Sequence, residues 1–195
     1  AGSISFIAAG YVRQMLQDFL PSNPGLGRRF PHRVWLDDYS ADQLAGIYLT
    51  SLASALSDPP PSPRLTRETA ASFFTELGMA FLVDVLGSTH ARNEGGVLYP
   101  QLDRVFAAQA GTMSTLADVT AVLIASSKRR GQIGVSNSGV DTWAISFLDV
   151  YGIIATLLQQ QLGPQANDAI MELQSIARVH GWLVGDTWQV SLILV

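Results

Sequence analysis

The feature that most constrains this chain is a helix-length segment that is apolar on almost every face. One stripe, with spacings of four, four and three residues, consists of Trp143, Phe147, Tyr151 and Ile154. The other faces are also apolar, since they carry Ile145, Leu148, Ile153 and Leu157. We predict a helix that opens at Asp141 and ends at the Gly163-Pro164 stop signal. Such a helix is buried on several sides, either at the centre of a bundle or against a protein partner.

Helical periodicity extends through most of the chain. Ser40 and Gln43 form a capping box, and Thr66 precedes a second apolar run. Further helices are predicted over Tyr11–Leu20, from Ser40 to just before Asp58, and over Thr66–Leu86, Leu98–Ala110, Thr115–Ser127 and Pro164–Val179. Strands are predicted over Ser3–Ala9 and Arg33–Leu36. The predicted fold class is therefore mainly α, a helical bundle with at most one or two short strands near the N-terminus.

Two breaks divide the predicted helices. Pro59-Pro60-Pro61-Ser62-Pro63 is a stiff, extended linker, and Lys128–Gly139 is rich in glycine, serine and charge. After the last helix the sequence ends on an apolar run from Val190 to Val195. We predict three regions, over residues 1–57, 64–127 and 140–195, the last being a helical hairpin with an apolar tail.

The composition limits the classes of function. Because 48% of the 195 residues are hydrophobic and only 14% are charged, part of the surface is expected to contact a protein partner or other copies of the chain. The net charge of −4 argues against nucleic-acid binding. No apolar run reaches the roughly 20 residues that span a bilayer. The chain has no cysteine, and its histidines at positions 32, 90 and 180 lack ligand spacing, so no metal site is predicted.

Four short motifs follow one another near the N-terminus. They are Ala9-Gly10-Tyr11, Ser22-Asn23-Pro24-Gly25-Leu26, Arg29-Phe30-Pro31 and Asp38-Tyr39-Ser40. In this order the sequence resembles AAA+ ATPases of the CbxX/CfxQ type. The resemblance is clear over roughly residues 4–57 and looser over 64–125. It implies that residues 1–57 are the end of an AAA+ large domain and the start of its helical lid, and that 64–127 continue the lid.

The resemblance also implies roles for three arginines. Arg29 matches the arginine finger, which reaches across a subunit boundary to the γ-phosphoryl group of a nucleotide. Arg28 lies beside it as a further candidate nucleotide-binding residue. Arg92 is a weak candidate, because the position of the family's sensor arginine falls near Gly96 in this chain. From the residues alone, Arg28 and Arg29 are better explained as a solvated pair after a turn, and only the resemblance makes the two interpretations about equal.

The parts of the family that bind ATP are missing from this sequence. It has no Gly-x-x-x-x-Gly-Lys motif, and its one lysine, Lys128, follows no glycine-rich turn. We therefore expect no cofactor bound by the chain alone, with ATP and Mg²⁺ only at an interface shared with a partner. The leading hypothesis is an AAA+-derived assembly or regulatory subunit that is not an ATPase on its own. The alternatives are a helical interaction subunit with no nucleotide role, or a piece of a complete ATPase.

Overall fold

The computed structural model of the chain describes residues 5–57, 65–129 and 144–189, and helices predominate in all three stretches. The chain divides into two units between Asp38 and Tyr39. The described part of the first unit contains a short helix α1 (Val12–Gln14) that continues as a π-helical turn over Met15–Phe19, and a single-turn helix α2 (Leu26–Arg29). The predicted Tyr11–Leu20 helix thus lies where expected.

The predicted strands near the N-terminus are wrong. Residues 5–9 and 33–36 form no regular structure. Backbone N–H and C=O groups of a strand need a neighbouring strand to bond to, and the described residues of this unit offer none. The side chains of these segments are correspondingly exposed, with Ile7 at 96% and Leu36 at 90%.

The described part of the second unit consists mostly of helices, and the mainly α prediction is confirmed. Its helices are α3 (Ala41–Leu56), α4 (Arg67–Ala71), α5 (Glu76–Ser88), α6 (Pro100–Phe106), α7 (Ala110–Arg129), α8 (Phe147–Leu162) and α9 (Ala166–Val179). Two antiparallel hairpins connect or follow them, β1 (Arg92–Asn93) with β2 (Gly96–Val97) and β3 (Leu183–Val184) with β4 (Thr187–Trp188).

The predicted capping box at the start of α3 is confirmed. The Ser40 hydroxyl accepts a hydrogen bond from the Gln43 backbone N–H at 3.3 Å, and the Gln43 side chain accepts one from the Ser40 N–H at 2.9 Å. This box satisfies two donors that the helix itself leaves unpaired. The helix then packs along α7, and the hydroxyl of Tyr48 lies 2.8 Å from that of Thr120 in the buried interface.

Helix α8 lies at the centre of this unit, as its apolar sequence predicts. It contacts α5, α7 and α9, and its buried side chains are Phe147, Val150, Ile153, Ile154, Leu157 and Leu158. It begins at Phe147 rather than Asp141, because Ser146 and Asp149 form a second capping box. Residues 141–143, including Trp143 of the predicted stripe, lie outside the described residues. With α9 it forms the predicted helical hairpin.

The predicted helix over Thr66–Leu86 is interrupted. Thr66 caps α4 as expected, but Thr75 begins a new helix by accepting a hydrogen bond from the Gly78 N–H at 3.0 Å. Between the two helices Phe74 forms a parallel bridge with Ile145. The Ile145 N–H donates to the Phe73 carbonyl at 2.7 Å, so the interrupting segment bonds to the residues before α8 instead of continuing its own helix.

Three other predicted boundaries shift. Helix α5 continues to Ser88, two residues past the predicted end at Leu86, and the β1–β2 hairpin follows it. The predicted helices over 98–110 and 115–127 are α6 and the longer α7, which includes Lys128 of the predicted break. The Pro59–Pro63 linker and the tail from Val190 lie outside the described residues. In the part of the chain that is described, no helix is both long and apolar enough to cross a membrane.

Candidate functional site

The two candidate arginines lie at the end of a short helix that follows an Asn-Pro-Gly turn. The side-chain oxygen of Asn23 accepts a hydrogen bond from the Gly25 N–H at 2.8 Å, and the backbone carbonyl of Asn23 accepts one from the Leu26 N–H at 2.9 Å. The side-chain bond is an Asx turn, which fixes the backbone locally. Helix α2 begins directly after this turn, so the turn determines the backbone position of Arg28 and Arg29.

An aromatic contact fixes the other side of this turn. Phe30 follows Arg29 and packs edge-to-face on Phe19, with ring centroids 5.9 Å apart. Pairs of this geometry add about 0.5–1.5 kcal/mol beyond the area they bury. The segment is thus held at both ends, by the Asx turn before α2 and by the ring pair after it.

The guanidinium groups of Arg28 and Arg29 are free. Both residues are exposed, and neither side chain makes an ion pair or a hydrogen bond with any described residue of the chain. By contrast, the Nε of Arg13 in the same unit donates to Gln17 at 3.0 Å. An unpaired guanidinium group can bind a phosphate or a carboxylate in bidentate fashion.

Large apolar side chains surround this pair in sequence and are also exposed. The most exposed are Phe6 (77%), Ile7 (96%), Tyr11 (80%), Val34 (84%) and Leu36 (90%), with Trp35 at 55%. Side chains of this size are seldom left in water in such density unless another surface covers them. The first unit therefore offers cationic and apolar groups together, a combination typical of protein interfaces.

Arg92, the weak candidate, belongs to the second unit. It lies in β1 opposite Val97, and its side chain is exposed with no hydrogen bond or ion pair to a described residue. The hairpin turns over Glu94 and Gly95, and Gly96, the first residue of β2, has a φ of +124°, a conformation that favours glycine. Arg92 thus lies in the hairpin before α6, and not in the first turn of that helix.

The structure brings together four side chains that sequence reasoning left apart. Ser88 Oγ lies 3.3 Å from His180 Nε2, and His180 Nδ1 lies 3.4 Å from Asp84 Oδ2. The same carboxylate oxygen accepts a hydrogen bond from Trp182 Nε1 at 2.6 Å. The four groups clamp the end of α9 to α5. The only signal in the sequence is the spacing of Asp84 and Ser88, which places them on one helix face.

This order of serine, histidine and carboxylate does not make a nucleophilic site. Ser88 is the last residue of α5, where the negative end of the helix dipole disfavours a developing oxyanion. The shortest contact of Asp84 is to the Trp182 indole rather than to the imidazole. The arrangement is that of a structural clamp between two helix ends.

The pair of His90 and Asp103 is also structural. His90 Nδ1 lies 2.6 Å from Asp103 Oδ1, which links the end of α5 to α6, and His90 Nε2 is buried with no hydrogen-bond partner among the residues that the structure describes. Within residues 5–57, 65–129 and 144–189, no group of three or more histidine, aspartate or glutamate side chains is arranged to hold a metal ion.

Comparison with known proteins identifies no relative. No protein-family model, curated protein or solved structure matches this chain. The functional argument therefore depends on the residues and on the geometry of the chain itself.

Proposed function

We propose that this chain is an AAA+-derived assembly or regulatory subunit that inserts Arg29 into a nucleotide site held by another polypeptide. The observation that carries this proposal is the pair of exposed, unpaired guanidinium groups after the Asn-Pro-Gly turn. Had Arg28 and Arg29 been bound to aspartates of their own unit, they could not reach a phosphate. Asp18, Asp37 and Asp38 are all present there, and none of them forms such a pair.

A second observation agrees with the proposal. The chain divides between Asp38 and Tyr39, inside the Asp-Tyr-Ser motif at which the family resemblance begins the helical lid. The Ser40 capping box opens α3 at the same point. A division of the chain at this motif supports the proposal.

The proposed role of Arg29 is electrostatic stabilisation of a nucleotide phosphate. During phosphoryl transfer, negative charge spreads over the oxygens of the γ-phosphoryl group, and a guanidinium supplied in trans stabilises it. Arg29 would donate to those oxygens, while the partner would hold the ATP and Mg²⁺. Arg28, the preceding residue of α2, would add positive charge to the same part of the chain.

Stimulation of a partner ATPase tests the proposal. The full chain is mixed with a Walker-bearing ATPase of the CbxX/CfxQ type, and steady-state hydrolysis is measured for wild type, Arg29→Ala, Arg28→Ala and Arg33→Ala. Removing an arginine finger costs about 10³–10⁵ in rate, so Arg29→Ala should return hydrolysis to the partner's own rate. Arg33, an exposed arginine in the same unit, is the matched control and should stimulate as wild type does. Equal stimulation by Arg29→Ala and Arg33→Ala refutes the proposal.

The exposed apolar residues of the first unit favour a second candidate, a helical interaction subunit without any nucleotide role. In that case Ile7→Ser and Leu36→Ser, which remove two of the most exposed apolar side chains, would release the partner complex. Nucleotide would have no effect on complex formation, and Arg29→Ala would bind as wild type does. Co-purification with and without ATP therefore separates the two candidates.

A further inference from the structure

An open groove lies between α7 and α8 in the second unit, and the proposed function does not use it. It encloses about 690 Å³ and runs along both helices, from Thr115 to Ser126 on α7 and from Leu148 to Gln160 on α8. At 1.5 Å per helical residue, the α8 wall is about 18 Å long. This length matches roughly three turns of a further helix.

The walls of the groove carry apolar side chains that the described residues leave exposed. Val122 on α7 is 64% exposed and Leu148 on α8 is 41% exposed. Val119 and Leu123 on α7 line the same groove and are half-buried. The exposed groups thus face each other across one concave surface rather than being scattered.

A glycine lies on the α8 wall of this groove. Gly152 is exposed in the interior of α8, and a Cβ added there would meet no atom within 4 Å. The φ of Gly152 is not positive, so the backbone conformation there does not require glycine. Helix propensity favours alanine at such a position. Packing within the described chain therefore gives no reason for glycine, whereas close approach of another backbone does.

The groove is also negatively charged. Asp118 lies on the α7 wall and Asp149 on the α8 wall, and none of the residues that line the groove is basic. One oxygen of Asp149 bonds to Ser146, but Asp118 makes no ion pair with any side chain that the structure describes. Two copies of this groove would oppose their carboxylates, so a symmetric dimer through it is disfavoured.

We infer that the groove between α7 and α8 docks an amphipathic helix of a partner protein, with its apolar face against Val122 and Leu148 and with lysine or arginine beside Asp118 and Asp149. A helix laid in an apolar groove and anchored at three- and four-residue spacings is a common mode of peptide recognition. The inference is independent of Arg29, because it concerns the second unit alone.

Peptide binding to the full chain tests this inference. The probe is a fluorescent 18-residue helical peptide with leucines at three- and four-residue spacing and lysines on the other positions. A second peptide replaces every lysine by glutamate. The dissociation constant is measured by anisotropy, and circular dichroism verifies that each variant is folded. The lysine peptide should bind at least tenfold more tightly than the glutamate peptide.

Two variants locate the binding. Gly152→Phe places a large side chain on the α8 wall, at a position where an added Cβ meets no atom within 4 Å, and should weaken binding of the lysine peptide at least tenfold. Met171→Phe enlarges an exposed apolar residue of α9, outside the groove, and should bind as wild type does. Asp118→Lys should reduce affinity for the lysine peptide and raise it for the glutamate peptide.

Three results would overturn the inference. One is equal affinity of wild type and Gly152→Phe, which would place binding elsewhere. Another is equal affinity for both peptides, which would remove the role of Asp118 and Asp149. The last is concentration-dependent self-association of the chain that Gly152→Phe abolishes, which would assign the groove to a second copy.

Discussion

The buried hydrogen bond between Tyr48 and Thr120 gives the sharpest prediction about the helical unit. Tyr48 is 1% exposed and Thr120 is fully buried, and their hydroxyl oxygens lie 2.8 Å apart between α3 and α7. Thr120 also donates to the Leu116 carbonyl at 2.8 Å, so its proton is committed and the Tyr48 hydroxyl is the donor of the pair. In the interface the Tyr48 hydroxyl thus donates to Thr120, and Thr120 donates to the Leu116 carbonyl.

The two single substitutions should differ in cost. Tyr48→Phe removes the donor and leaves a threonine whose own proton is still bonded, which costs about 1 kcal/mol. Thr120→Val leaves the tyrosine hydroxyl buried without an acceptor, which costs about 2–3 kcal/mol. The double variant removes both groups, so its loss should be smaller than the sum of the two, with a coupling energy of about 1 kcal/mol or more.

The same pair predicts a loss of stability in alkali. Burial raises the pKa of Tyr48, against a smaller opposite effect of the Thr120 hydrogen bond. The neutral form is therefore favoured in the folded state, and its stabilisation is complete below the unfolded pKa of about 10. As the pH rises above that value, the free energy of unfolding should fall by about 1.4 kcal/mol per pH unit until the folded group ionises.

Urea unfolding followed by circular dichroism measures both effects. The wild type and Tyr48→Phe are compared at pH 7 and at several values above pH 10, with Tyr39→Phe as the control because Tyr39 is 47% exposed. The alkaline loss should be smaller in Tyr48→Phe and unchanged in Tyr39→Phe. Additive single costs, or an identical alkaline loss in Tyr48→Phe, would refute the assignment of this hydrogen bond.

Three further substitutions test the packing, each by urea unfolding at pH 7. Gly78→Ala should destabilise by about 1–3 kcal/mol, because its Cβ would lie 2.6 Å from the Ile145 carbonyl oxygen; a neutral result would contradict the close approach of α5 to the segment before α8. Gly152→Ala should instead stabilise by about 0.5–1 kcal/mol, since its Cβ meets nothing and only helix propensity changes. Glu172→Gln should cost about 1 kcal/mol, because the carboxylate of α9 accepts from the Gln101 and Leu102 N–H groups at the start of α6; an unchanged midpoint would mean that this cap contributes nothing.

The elements that sequence predicts well are those determined by neighbouring residues. The Ser40–Gln43 box and the Thr66 cap each need only residues three apart, and both helices start where predicted. The end of α9 at Val179 is likewise local, because Gly181 adopts a φ of +77° just beyond it. Periodicity and capping carry this information without any knowledge of the tertiary structure.

The elements that sequence misses depend on distant partners. The break between α4 and α5 arises from the bridge of Phe74 to Ile145, and nothing near Phe74 indicates that residue. The Ser146–Asp149 box, in contrast, involves only neighbouring residues. The apolar stripe that includes Trp143 nevertheless places the predicted start of the helix earlier, at Asp141. The N-terminal strands fail for the opposite reason, since β-prone residues form a strand only where a neighbour exists.

The candidate site divides in the same way. The Asn-Pro-Gly turn and the arginines after it are local, so sequence predicts both the turn and the exposure of Arg28 and Arg29. The clamp that joins Ser88 to His180 is not local, because it connects residues 92 apart in the chain. The groove between α7 and α8 likewise exists only once the two helices pack.

The proposed role of Arg29 is tested most directly with a transition-state analogue. The chain is mixed with a Walker-bearing ATPase of the CbxX/CfxQ type in the presence of ADP, Mg²⁺ and aluminium fluoride, and complex formation is measured by analytical ultracentrifugation. The account predicts a complex that needs the fluoride and that Arg29→Lys fails to form, because lysine lacks the planar fork of donors. A complex that forms equally without fluoride, or equally with Arg29→Lys, would contradict it.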